Sequence, residues 1–201
     1  MSMFFSVSSH ANLLSNGSFE SPVTSSKIFG FDSSPDIPGW VEDAGGVYLD
    51  SGVEDDLASA PDGTRLAFLK NDDDGFFQTT SHVISLSDSF SLEFDVLATF
   101  LANSIDVSIF YADPSNILVS ETLAITSTSW ETLSITTTGI TLPAAAIGTQ
   151  VGVRFDNQSY PTVDGITYLA IDDVSLTVVP EPASVLLLGS LALLATSRKR
   201  R

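Results

Sequence analysis

"SLEFDVLATF", residues 91–100, alternates apolar and acidic side chains, with Leu92, Phe94 and Val96 on one face of an extended strand and Glu93 and Asp95 on the other. A period of two residues is typical of a β-strand that buries one face. The same alternation returns in SIDVSIFYA (104–112), WETLSITTT (130–138), QVGVRFD (150–156) and AIDDVSLTVV (170–179). The chain is therefore expected to build its core from one-sided strands.

Turn signals separate these runs, among them Asn16-Gly17, Pro38-Gly39 and Asp164-Gly165, and helical periodicity is scarce before residue 180. Two further runs, TRLAFLK (64–70) and FFQTTSHVI (76–84), also have strand composition. The pattern predicts an all-β fold, an antiparallel jelly-roll β-sandwich over residues 12–179. Its predicted core contains Leu92, Phe94, Val96, Val151, Val153, Phe155, Val174 and Leu176.

The net charge of the chain limits the classes of partner that it can bind. The 201 residues carry a net charge of −17, and four of the eight basic residues are Arg198, Lys199, Arg200 and Arg201. Residues 1–179 therefore hold 24 acids against four bases, a net charge of −20. Such a surface repels phosphate backbones, so nucleic acid is excluded as a partner. The absence of cysteine excludes disulfides and thiolate chemistry.

No catalytic motif stands out. The only histidines are His10 and His82, and the chain has no Gly-x-Ser-x-Gly, phosphate-binding loop or His-Glu-x-x-His motif. With 24 acids before residue 180, carboxylate pairs carry no signal by themselves. The chain is therefore expected not to be an enzyme.

Residues 1–11 contain only a short apolar run, although Ser9-His10-Ala11 would serve as a signal-peptidase site. This segment is interpreted either as the remnant of a signal peptide from a longer precursor or as a disordered leader.

Four stretches resemble the galactose-binding-like jelly rolls, which include many carbohydrate-binding modules and related bacterial surface domains. They are NLLSNGSFESP (12–22), IPGW (37–40), APDGTRLAFL (60–69) and YLAIDDVSL (168–176). The pairing of the opening Asn-Gly-Ser-Phe-Glu with the closing Ile-Asp-Asp-Val-Ser-Leu is more specific than either half alone. The resemblance implies a fold in which the first and last strands lie close together.

That proximity would bring Glu20 and Asp172 to one place, and the resemblance implies a structural calcium ion there. Calcium takes carboxylate and backbone oxygens as ligands. By simple alternation Asp172 shares a face with Val174 and Leu176 and points inward, whereas Asp173 points outward and is the less favoured ligand. The alternative is that Glu20 and Asp172 accept backbone N–H bonds.

A carbohydrate site would need exposed aromatic rings. Trp40 is expected to be packed, so the best candidates are Tyr48, which follows a Gly-Gly turn, and Tyr160, in the loop DNQSYPTVDG. Ordinary partial burial is the alternative for both residues.

The chain ends with Pro180-Glu181-Pro182, an uncharged apolar run from Ala183 to Ser197, and a basic cluster at 198–201. This order resembles the PEP-CTERM sorting signal of Gram-negative bacteria. The resemblance implies a single C-terminal membrane helix, processing by an exosortase, and export with transient anchoring in the inner membrane. The positive-inside rule agrees, because it keeps the basic end cytoplasmic. A permanent membrane anchor and a core helix are the alternatives.

Two functions remain from different classes. In the first, residues 180–201 deliver a calcium-braced structural protein to the cell surface or extracellular matrix, in association with exopolysaccharide and biofilm. In the second, the sandwich is a carbohydrate-binding module with a specific glycan ligand. An open aromatic platform would favour the second.

Overall fold

A computed structural model of the chain describes residues 11–21, 37–42, 52–55, 60–70, 75–100, 102–157 and 167–180. Within these ranges the secondary structure is all β, with no helix. The strands are β1 (Val41–Glu42), β2 (Gly52–Asp55), β3 (Arg65–Lys70), β4 (Phe76–Val83), β5 (Asp88–Phe100), β6 (Ser104–Tyr111), β7 (Asp113–Ala124), β8 (Glu131–Thr136), β9 (Gln150–Asp156) and β10 (Tyr168–Pro180).

The strands form two five-stranded antiparallel sheets. The first has the order β1-β4-β9-β6-β7 and the second has the order β2-β3-β10-β5-β8. The predicted antiparallel two-sheet sandwich is confirmed. The last strand, β10, lies in the middle of the second sheet between β3 and β5. The end of the chain is therefore a central element of the fold.

The core lies between the inner faces of the two sheets. All eight residues that the alternation predicted for it are buried to at least 99%. Trp40 is buried as expected, since its ring contacts Phe19, Phe76 and Phe155, and its Nε1 donates to the carbonyl oxygen of Asn16 at 3.1 Å. A buried indole N–H normally requires such a partner.

A β-bulge interrupts β10 in the middle of the strand. Asp172 is paired with Asp95 of β5, but Ser175 is paired with Glu93, so β10 holds one residue more than β5 between these pairs. The extra residue is accommodated by Asp173, which has a φ of 46°. Bulges of this kind shift the alternation of faces by one residue.

This bulge corrects the predicted orientation of Asp172. Ile171 is paired with the buried Val96, so Asp172 falls on the outer face with Asp95, whereas Val174 and Leu176 return to the core. Asp172 is nevertheless fully buried. Its burial therefore comes from what covers the outer face and not from the sandwich core.

The first described segment lies beside β10, as the resemblance implied. The side-chain amide of Asn12 donates to the carbonyl oxygen of Val174 at 2.9 Å, and its Oδ1 accepts from the Leu176 N–H at 3.0 Å. The Val174 N–H in turn donates to the Gly17 carbonyl oxygen at 3.0 Å. Residues near the two ends of the domain are thus joined directly.

Candidate functional site

Glu20 and Asp172 both hold the same turn, which precedes β3. Glu20 Oε1 accepts the backbone N–H groups of Thr64 and Arg65, each at 2.7 Å. Asp172 Oδ2 accepts the N–H of Asp62 at 2.9 Å. Residues 61–65 thereby lie over the bulge of β10. The structure brings together the two carboxylates that the sequence paired, and it shows both accepting backbone N–H bonds.

The second carboxylate oxygen of Asp172 has no hydrogen-bond partner, although the residue is fully buried. Burial raises the pKa of Asp172 to about 7, while the N–H groups of Asp62 and Asp173 oppose part of that rise. The charges of the same two aspartates add to it. An ionised carboxylate without full hydrogen bonding is costly in such surroundings.

The neighbouring acids crowd this site. Burial also raises the pKa of Asp173, and the negative charges of Asp62 and Asp95 contribute. We call Glu20, Asp62, Asp95, Asp172 and Asp173 the bulge cluster. The charges of Asp62 and Asp173 disfavour a negative charge on Asp172, and a proton or a cation at its free oxygen would relieve this repulsion.

Apolar side chains share the outer face with Asp172. Leu66, Leu97 and Ala170 are buried there in a cluster separate from the main core, with Phe68 and Trp130 packed against it. Ala170 precedes Asp172 by two residues on the same face of β10, and its registered partners on β5 and β3 are Leu97 and Phe68. These five residues form the outer-face cluster. It places two aromatic rings and a carboxyl group on one side of the second sheet.

Sequence reasoning missed this cluster. In RLAFLK and FDVLATF apolar residues occupy both faces of the strand, which pure alternation does not explain. A strand that is apolar on both faces is covered on both faces. That signal, together with Trp130 immediately before β8, would have identified a second buried surface.

In the part of the chain that the structure describes, no group of three or more His, Cys, Asp or Glu side chains is placed to hold a metal ion. Calcium at Glu20 and Asp172 would therefore need backbone carbonyl oxygens and water for most of its ligands. Tyr48, Tyr160, Glu181, Pro182 and the basic cluster at 198–201 lie outside the described residues, as does the predicted C-terminal helix.

Two family models divide the chain between them. The model of the HpiC1-like family, described as HpiC1 cyclase, matches residues 11–177. The chain belongs to the HpiC1-like family. The PEP-CTERM protein-sorting motif matches residues 178–201, which confirms the resemblance stated for the tail. No curated protein matches the sequence.

Solved structures agree on the fold of the HpiC1-like domain. A Stig cyclase, FisC from Fischerella sp. TAU, in complex with (3Z)-3-(1-methyl-2-pyrrolidinylidene)-3H-indole, has a TM-score of 0.64 and 20% identity. The match covers 84% of this chain and 97% of that chain. A cyclase from the same organism in complex with 4-(1H-indol-3-yl)butan-2-one has a TM-score of 0.62 and 21% identity, covering 83% and 96%.

A CBM4 structure has a TM-score of 0.50 and 19% identity and covers 83% of this chain and 99% of that chain. The sandwich is therefore similar to carbohydrate-binding modules, as its sequence suggested. At such identities the likeness concerns the fold.

The expectation that the chain is not an enzyme is wrong. The HpiC1-like family is a cyclase family, and the structural neighbours include cyclases of the same architecture. Short catalytic motifs are absent from the sequence, and their absence does not exclude an enzyme.

The sorting motif implies an exported precursor, anchored in the membrane of a Gram-negative bacterium and processed by an exosortase. Among the residues of the described ranges, no helix is long and apolar enough to cross a membrane.

Proposed function

We propose that the HpiC1-like domain is an exported cyclase in which Asp172 is the proton donor. The observation that carries the proposal is the fully buried carboxyl group with one unpartnered oxygen, beside the outer-face cluster. Burial raises the pKa of Asp172 to about 7, so a substantial fraction of the carboxyl group is protonated near neutral pH and can act as a general acid.

The chemistry is a ring closure promoted by a proton. The Asp172 carboxyl group donates its proton to an unsaturated carbon of the substrate, and a second π-bond of the same molecule attacks the resulting cation to form the new ring bond. Loss of a proton from the cyclised cation to the Asp172 carboxylate restores the acid. The reaction is an isomerisation, so no atoms are gained or lost.

The outer-face cluster would support this step in two ways. Leu66, Leu97 and Ala170 exclude water, which protects a cation from being trapped as an alcohol. Phe68 and Trp130 offer aromatic faces, which attract positive charge. We infer that the substrate is apolar and unsaturated. Indole compounds are the natural first probes, because the related cyclases were solved with indole-containing molecules.

The test compares Asp172→Asn with Asp173→Asn in the full chain. Binding of 4-(1H-indol-3-yl)butan-2-one is followed by saturation-transfer NMR. Turnover of indoles with an unsaturated side chain is followed by chromatography, in which the product is a new peak with the same mass as the substrate. Asp172→Asn should bind the probe and lose turnover by a factor of 100 or more, given the usual contribution of about 10²–10⁴ from a general acid. Asp173→Asn should retain both probe binding and turnover. Equal turnover in the two variants would remove Asp172 from the chemistry.

Calcium is the second candidate for the free oxygen of Asp172. A structural ion held by Glu20, Asp172 and backbone oxygens would offset the negative charges of the bulge cluster. Such an ion and a proton could not occupy the same oxygen of Asp172 together. Calcium should then raise the melting temperature of the wild-type chain, and Glu20→Ala should abolish the rise. A melting temperature that is the same in calcium and in chelator would exclude the ion.

The location of the processed protein and its glycan ligand are further parts of the proposed function. We infer that the processed protein stays at the cell surface or in the extracellular matrix, in association with exopolysaccharide and biofilm, as the sorting motif suggests. A glycan ligand is supported by the CBM4-like fold, and Tyr48 and Tyr160 remain its candidate residues. Glycan-array binding by the full chain tests this, and a blank array would exclude a specific glycan.

A further inference from the structure

The sandwich continues into the sorting motif, as far as Pro180. Strand β10 stays paired with β5 through Val179, opposite Ser89, and Pro180, opposite Asp88. The uncharged apolar run of the sorting signal starts at Ala183, three residues later. Only Glu181 and Pro182 lie in sequence between the last paired residue of the sandwich and this apolar run.

The distance between Pro180 and the start of the apolar run is short. Three residues span at most about 11 Å when fully extended. The polar headgroup region on one side of a bilayer is roughly 5–8 Å thick. The end of the sandwich that carries Pro180 is therefore held at the surface of the membrane for as long as the precursor is anchored.

That end is formed by residues 83–88, 137–149 and 178–180, which we call the tail-proximal end. Its loops are joined by hydrogen bonds from the Ile84 N–H to the Thr149 carbonyl oxygen and from the Gly148 N–H to the Ile84 carbonyl oxygen. The Thr137 N–H bonds to the carbonyl oxygen of Phe90. The three segments thus lie together at one end of the sandwich.

Exposed apolar side chains are concentrated at this end. Six large apolar residues are exposed in the described part of the chain, and four of them belong to the tail-proximal end: Val83 (53%), Leu86 (79%), Ile140 (41%) and Ile147 (36%). Exposed apolar residues that are grouped on one part of a surface are typical of an interaction site, whereas isolated ones are not. Here they lie at the end of the sandwich that also carries Pro180.

The charge of the tail-proximal end is also unusual for this protein. Residues 83–87, 132–153 and 174–180 contain no charged side chain, although residues 1–179 have a net charge of −20. The carboxylate of Asp88 accepts from His82 Nε2 at 2.8 Å and from the Ser85 N–H at 2.9 Å. In the neighbouring β6–β7 turn, Asp113 is exposed. This end therefore presents little negative charge to anionic headgroups.

We propose that the tail-proximal end is a membrane-contacting surface, in which Leu86 and Ile140 insert into the lipid headgroup region while the precursor is anchored. The occupant is the lipid bilayer itself. The inference rests on the sorting motif and is independent of the cyclase activity. The proposal gives the exposed apolar residues a role in membrane contact, which is separate from the stability of the fold.

The absence of cysteine allows a direct test, because one engineered cysteine accepts one label. The full chain carrying Leu86→Cys, Ile140→Cys or Thr128→Cys is labelled with an environment-sensitive nitrobenzoxadiazole dye. It is then reconstituted into vesicles of phosphatidylethanolamine and phosphatidylglycerol. Only vesicles that carry the protein on flotation are measured. Thr128 is the control, since it is exposed in the β7–β8 loop at the other end of the sandwich.

Spin-labelled lipids should quench the dye at positions 86 and 140 several-fold more than at position 128, with blue-shifted emission at the first two positions only. Equal quenching at all three positions, whether strong or absent, would overturn the proposal. Protection at positions 86 and 140 that appears only in native membranes containing exosortase, and not in pure lipid, would also overturn it. In that case the surface would belong to a protein partner.

Discussion

The tail-proximal end and the bulge cluster both include residues of β10, and they differ in burial and in charge. From Asp172 to Pro180 the strand covers roughly 25 Å at about 3.3 Å per residue. At one position, acids surround a buried carboxyl group with an unpartnered oxygen. At the other, exposed apolar residues surround a paired aspartate. One strand thus connects a buried carboxyl group among acidic neighbours to an end of the sandwich with exposed apolar side chains.

The largest expected effect is at Asp172. Its carboxyl group has a pKa of about 7 in the folded chain, so between pH 4 and pH 7 the folded state binds a proton that the unfolded state has lost. The free energy of unfolding should therefore fall as pH rises through this window, by on the order of 4 kcal/mol. Asp172→Asn should remove the slope and be the more stable chain at pH 8.

Urea unfolding at several pH values measures this effect. Asp113→Asn is the control, because hydrogen bonds from Ser115 lower the pKa of Asp113 and confine its influence to more acidic solutions. An identical slope in the wild type and Asp172→Asn would show that Asp172 is ionised in the folded chain throughout. That result would favour a bound cation.

Gly17→Ala should disrupt the packing of the N-terminal segment against β10 beside the bulge. A Cβ at this position would lie 2.1 Å from the carbonyl oxygen of Val174, which is backbone and cannot move aside cheaply. We expect a loss of about 1–3 kcal/mol, as for overpacked sites. Ser18→Ala, one residue further on, should cost less than about 0.5 kcal/mol. Equal thermal stabilities of the two variants would contradict the close contact.

Glu20→Ala should loosen the turn over Asp172 by leaving the Thr64 and Arg65 N–H groups without their acceptor. We expect a cost of about 1–2 kcal/mol and faster amide exchange at both residues. Glu20→Gln retains one acceptor oxygen and should lose about half as much. Unchanged exchange in Glu20→Ala would mean that the turn is held by other contacts.

Leu86→Ser should change folding stability least, by less than about 0.5 kcal/mol, because the side chain is 79% exposed. The same substitution should weaken the association of the tail-proximal end with lipid. Differential scanning calorimetry of the full chain in detergent measures the first quantity. A clear fall in melting temperature would show that Leu86 supports the fold and would undermine its assignment to the membrane surface.

Alternation predicted the sandwich because it is a local property of each strand. Leu92, Phe94 and Val96 follow it without interruption, and the register with β10 confirms that they face the core. The orientation of Asp172 failed for an equally local reason. From Ile171 to Val174 the apolar spacing changes from two residues to three, and this change indicates a bulge.

The candidate site could not be predicted in the same way. Asp172, Leu66 and Leu97 come from three strands that are distant in sequence and are joined only by the sheet register. Covering the outer face also requires residues 61–65, which are held by Glu20. The sorting motif, in contrast, is read as a linear segment, so its sequence sufficed.

The central position of β10 limits when the second sheet can form. Sheet β2-β3-β10-β5-β8 remains open between β3 and β5 until residues 168–180 are available, and Asn12 gains its long-range hydrogen bonds only when Val174 and Leu176 are in place. Contacts so distant in sequence make folding slow. The second sheet can therefore be completed only when almost the whole domain is available.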